Sequence, residues 1–68
     1  MSKESLKILR IKAGLSQDEL AKLSGSTQAS ITRYESDVNN LRKASYNTLV
    51  ALAKAVGVNI WEIEMEEE

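Results

Sequence analysis

The sequence contains no histidine and no cysteine. That removes the side chains that most often serve as general base, thiol nucleophile or zinc ligand. Acid–base chemistry would fall to carboxylates, and two of these, Glu19 and Glu35, have structural roles given below. No catalytic constellation is left, so an enzyme is the least expected reading, and no cofactor or metal is expected. What is left is a polar set: Gln28, Ala29, Thr32, Arg33 and Ser36. At about 100° per residue these positions fall on one arc of a helix, opposite Ser30, Ile31, Tyr34 and Glu35. An arc without a packing role that carries an amide, two hydroxyls and a guanidinium is where function is expected to sit.

Two short helices joined by a turn must hold that arc. The first spans residues 17–23. Ser16 can cap it while Glu19, three residues on, reaches back to the Ser16 amide, a capping box. Leu15 before the cap and Leu20 after it form the matching hydrophobic staple. Ala21 is small enough for another helix to approach closely, and Ser24-Gly25-Ser26 breaks the helix. The second helix, residues 28–36, is capped by Thr27. Its inward arc brings Glu35 to the edge of the core, where a carboxylate needs a cation. Arg10, on the inward face of an earlier helix, is the expected partner in a structural ion pair; the alternative is that each reaches water separately.

The remaining elements read as supports. Leu6, Leu9, Arg10 and Ala13 share one face of a helix over 3–13, closed by Gly14. Ile8 and Ile11 lie opposite and fit a contact with the C-terminal segment, a subunit contact or plain exposure. Residues 37–44 read as a loop, with Asn39 and Asn40 favouring turns and Leu41 as its apolar anchor. A helix over 45–56 places Leu49, Leu52, Ala53 and Val56 on one face and ends at Gly57. Asn59 and Glu62 have the spacing of a second capping box, which predicts a short fifth helix fraying into the acidic end. The alternation of Trp61, Ile63 and Met65 with glutamates also suits an exposed strand. With no proline, no internal repeat and apolar residues at helical spacing, the fold class is all-α.

At 68 residues the chain is one domain, of a size that hides only about 60% of what its unfolded form exposes. A cysteine-free domain this small fits a reducing cytoplasm. The longest apolar run, LVALA at 49–53, is far short of the ~20 residues of a membrane span, and the opening MSKESLK has no signal-like apolar core. Cytoplasmic location without membrane contact is therefore expected. The net charge is −1, but five of the ten acidic residues are Glu62, Glu64, Glu66, Glu67 and Glu68. Residues 1–61 carry nine Lys and Arg against five Asp and Glu, a balance of +4. The chain divides accordingly into a mildly basic body, 1–61, and an acidic tail, 62–68.

The order Gln17, Leu20-Ala21, Gly25, Ile31, Glu35 resembles the helix-turn-helix of phage-repressor and Cro-type proteins, the Xre family. The resemblance extends to LKILRIKAGLSQ before the motif and TLVALAKAVGV after it, and covers roughly residues 5–63. Ser26 departs from it, standing where the family usually has an apolar residue, and the segment 37–46 is slightly long. The resemblance implies a compact five-helix repressor-like domain whose second and third helices form the helix-turn-helix. It also implies a sequence-specific regulator of transcription, a repressor, that binds double-stranded DNA with the 28–36 helix in the major groove. Gln28, Ala29, Thr32, Arg33 and Ser36 would then meet bases, and Gln17, Asn40, Arg42 and Lys43 would meet phosphates. A homodimer on DNA is implied, with Val58, Ile60 and Trp61 as its contact, although Trp61 fits the core equally well. No small-molecule substrate is expected. The alternative reading is an antitoxin or other protein-interaction module of a toxin–antitoxin pair, in which the acidic end with Trp61, Ile63 and Met65 grips a protein partner.

Overall fold

Short polar side chains start each α-helix of the described residues, 3–66, in the computed structural model. The Ser5 hydroxyl accepts from the Ile8 amide (3.2 Å) at the start of α1, Leu6–Lys12. Ser16 accepts from Glu19 (3.0 Å) and opens α2, Gln17–Ser24. Thr27 accepts from Ser30 (3.1 Å) and opens α3, Gln28–Ser36. Asp37 accepts from Asn39 (2.9 Å) ahead of α4, Val38–Arg42, and Ser45 from Thr48 (3.1 Å) ahead of α5, Tyr46–Val56. Each cap satisfies an amide that has no partner inside its own helix. A single 3-10 turn, Ile60–Glu62, follows.

The apolar stripes of these helices meet in one core: Leu6, Leu9, Leu20, Ala21, Ile31, Leu41, Leu52, Ala53, Val56 and Ile63. The domain is all-α, and α2 is its centre, packed on α5 along one side and on α3 along another. Leu15 packs against the core edge, consistent with the staple to Leu20.

Four local expectations are corrected. The first helix begins at Leu6 rather than at residue 3, because Glu4 is drawn into an extended pairing with the C-terminal segment, and Ala13 is exposed. Residues 38–42 are helical, not a loop. Asp37, in extended conformation, ends α3 and caps α4 at once, and the extra turn carries Leu41 to 1% exposure. At the other end the expected fraying helix is only the 3-10 turn, started by the Glu62 carboxylate accepting from the Asn59 amide (2.8 Å). The chain then extends. Glu4 and Ile63 form an isolated parallel bridge, in which the Glu4 amide donates to the Glu62 carbonyl (3.1 Å) and the Glu64 amide to the Glu4 carbonyl (2.8 Å). Ile63 is 0% exposed, so the core runs two positions past residue 61, while Trp61 lies outside it. Ile8 and Ile11 face solvent in the single chain. No helix among the described residues is long and apolar enough to cross a membrane, and no group of acidic side chains there could hold a metal ion.

Candidate nucleic-acid interface

The turn between α2 and α3 depends on Gly25, whose φ of 72° lies in the left-handed region that side-chain-bearing residues avoid. There the Ser26 amide reaches back to the Ala21 carbonyl (2.8 Å) and the Gly25 amide to that of Lys22 (3.4 Å), closing α2 in two bonds. At the other end of α2 the capping box is complete: Glu19 returns a carboxylate oxygen to the Ser16 amide at 2.8 Å.

The back of α3 is fixed by a part-buried polar network. Arg10 Nε donates to Glu35 Oε2 (2.7 Å) and Nη2 to Oε1 (3.2 Å), a two-point ion pair with side chains 12% and 4% exposed. The third arm, Nη1, donates to the Leu15 carbonyl (2.8 Å). Arg10 therefore joins α1, the entry to α2 and the last turn of α3 through one planar group. Glu35 Oε1 also accepts from Gln17 Nε2 (3.1 Å), and Gln17 Oε1 accepts from the Thr32 hydroxyl (3.0 Å). Among the described residues no buried side-chain nitrogen or oxygen is left without a partner.

The far end of α3 is held by α4. The Arg33 carbonyl accepts from the Asp37 amide (3.2 Å), the Ser36 hydroxyl (3.0 Å) and Asn40 Nδ2 (3.1 Å). Asn40 is thus fastened to α3, half-buried, with one amide N–H left to offer. Gln17 is likewise half-buried and engaged on both sides of its amide. Arg42 and Lys43 are exposed and line a shallow depression with Asn39.

Gln28, Ala29, Thr32, Arg33 and Ser36 are all exposed, on the side of α3 opposite Ile31. Their chemistry is not uniform. The single hydroxyl proton of Thr32 points to Gln17 and to the Gln28 carbonyl (3.1 Å), and that of Ser36 to the Arg33 carbonyl. Both hydroxyls therefore offer outward only acceptor lone pairs. The donors of the arc belong to the Gln28 amide and the Arg33 guanidinium. Lys12 and Lys22 are paired with Glu4 and Asp18, whereas Arg33, Arg42 and Lys43 have no ion-pair partner among the described residues. The surface formed by α3 and the end of α4 is accordingly cationic.

Val58 and Ile60 are half-buried and Trp61 is 64% exposed, beside a groove that Tyr46 and Val50 also line. Two kinds of link were absent from the sequence reading: Asn40 to the end of α3, and Gln17 across to Thr32 and Glu35. The first had a signal, the cap residue Asp37 three positions before Asn40. The second depends on how α2 and α3 cross, which no periodicity encodes.

No curated protein and no solved structure matches the chain. A family model described as helix-turn-helix does, over residues 6–62, from the first residue of α1 to the end of the 3-10 turn. That span holds both helices of the motif, the turn at Gly25 and the ion pair behind α3. The chain belongs to the Xre/Cro-type helix-turn-helix family of DNA-binding regulators.

Proposed function

We propose that the protein is a cytoplasmic transcriptional repressor that acts by occupying its operator as a twofold homodimer. The observation that carries this reading is the outward arc of α3, exposed along its length and backed by an immobilised network. Major-groove recognition by such a helix uses base edges met by its first turns. Gln28, on the first turn, donates and accepts as the N6/N7 edge of adenine requires. Arg33 has the fork that matches O6 and N7 of guanine. Ala29 and Thr32 are small enough to allow close approach and present methyl groups, and Ser36 offers an acceptor. Arg42 and Lys43 with the remaining N–H groups of Gln17 and Asn40 supply phosphate contacts that set the register.

A twofold dimer places two copies of α3 about 34 Å apart, one turn of the duplex. Val58, Ile60 and Trp61 are the proposed dimer contact, supported by the exposure of Trp61. A second reading, capture of a protein partner by the C-terminal segment as in an antitoxin, has the same exposed Trp61 in its favour. It loses Ile63, which lies in the core.

Enrichment of bound fragments from random duplex DNA tests the repressor reading. The wild-type chain should select an inverted repeat. The variant Gln28→Ala with Arg33→Ala should retain the fold and lose the selection, each bidentate contact contributing about 1–3 kcal/mol. Selection of the same sequence by the double variant would refute the assigned reading face.

A further inference from the structure

Gln17 stands at an unusual junction. It belongs to α2, yet both ends of its amide are engaged with α3, Nε2 on Glu35 (3.1 Å) and Oε1 on the hydroxyl of Thr32 (3.0 Å). Glu35 in turn is held by Arg10 on both of its oxygens, Oε1 being shared with Gln17, so the chain Arg10–Glu35–Gln17–Thr32 runs from the ion pair out to the exposed arc. The carboxylate only accepts, so it must face Nε2, and this orients the Gln17 carbonyl oxygen toward Thr32.

Threonine in a helix divides between two side-chain rotamers, because in either one the hydroxyl can bond to the carbonyl of the preceding turn. Thr32 makes that bond, to the Gln28 carbonyl at 3.1 Å, and it alone does not decide the rotamer. The added bond to the Gln17 oxygen (3.0 Å) favours the rotamer that makes both contacts. With the hydroxyl proton turned back on two internal acceptors, the γ-methyl is the apolar group this exposed residue has left for a base.

We infer that Gln17 is a specificity-positioning residue: through the network from Arg10 it fixes the Thr32 rotamer, and thereby makes α3 a reader of one thymine methyl group in each half-site. The inference rests on the proposed major-groove reading by α3. It assigns Gln17 a role in base discrimination, distinct from a phosphate contact, which would contribute equally to every sequence.

Deoxyuridine differs from thymidine only by lacking the C5 methyl, so it isolates the contact. Each thymine of the enriched half-site is replaced in turn by deoxyuridine, and the dissociation constant is measured by fluorescence anisotropy at one salt concentration. At one thymine the wild-type protein should bind about fourfold more weakly, the equivalent of one buried methyl group. Thr32→Ser should be indifferent to that substitution. Gln17→Leu should fold, bind every sequence more weakly through the lost phosphate contact, and in addition lose most of the thymine preference. Adding Thr32→Val should restore it, because valine holds a single helical rotamer without help and keeps a methyl at the same place. Three results would overturn the inference while leaving DNA reading intact: no thymine sensitive to loss of its methyl, Gln17→Leu weakening thymine and uracil sites by the same factor, or no rescue by Thr32→Val. Failure of the wild-type chain to enrich any sequence would instead refute the underlying reading of α3, and the inference with it.

Discussion

Replacing Arg10 by methionine tests the claim that one buried ion pair fixes the reading helix. Methionine conserves most of the volume and the unbranched shape, and removes the charge and three hydrogen bonds. Glu35, 4% exposed, would keep a single bond from Gln17, and the Leu15 carbonyl would lose its side-chain donor. Removing one partner of a buried pair costs about 3–5 kcal/mol, because the remaining charge is left without compensation. A domain of this size has a total stability on the order of 3–10 kcal/mol at 0.05–0.15 kcal/mol per residue. The variant should therefore lose a large part of its stability, with a melting temperature lower by about 15 °C or more. Circular dichroism against temperature and urea measures this directly. The double variant Arg10→Met, Glu35→Leu separates lost attraction from stranded charge. An apolar replacement of both partners is often neutral or stabilising, so it should recover most of the loss. A loss under about 1 kcal/mol for the single variant, the size of an exposed pair, would refute the reasoning. So would a double variant no more stable than the single one.

Other expectations follow from the same geometry. Arg42→Ala and Lys43→Ala should each lower DNA affinity by a similar factor on all sequences, and each should reduce the slope of log affinity against log salt by about one. A base-dependent effect would show that these residues do more than contact phosphate. Ile63→Ala should destabilise the domain by about 2–5 kcal/mol, as expected for a fully buried side chain, and urea titration would expose a smaller loss if residue 63 were part of a solvated tail.

Much of the fold was legible because its signals are local. The Ser16–Glu19 box, the glycine at 25 and the spacing of Leu49, Leu52, Ala53 and Val56 each need only a few neighbouring residues. The arc of α3 was legible for the same reason: Ile31 fixes the inward direction, and the polar positions follow from the helical period. The meeting of Arg10 with Glu35 went one step further, since a carboxylate on an inward arc demands a cation from elsewhere.

What was missed depends on competition between local preferences and tertiary packing. Asn39 and Asn40 weigh toward a turn, but the cap offered by Asp37 and the burial of Leu41 favour one more helical turn. The alternation at 61–65 is satisfied by neither the fraying helix nor an exposed strand. Glu4 supplies a backbone partner, and Ile63 enters the core from an extended segment. Pairing between residues almost sixty positions apart leaves no mark in either stretch. The Thr32–Gln17 bond is of the same kind, set by the crossing of two helices.

The parallel sense of the Glu4–Ile63 bridge has a mechanical consequence. Two stretches that run side by side in the same direction send the chain out of the domain in opposite directions, toward Lys3 at one end and Glu66 at the other. Tension applied through those positions slides one stretch past the other, so the bonds at 3.1 and 2.8 Å carry the load together instead of opening in turn. Ile63, seated in the core beside them, resists the same displacement. A tether at either end thus pulls against the strongest direction of the bridge, and helices α2 and α3 stand outside the path of the force.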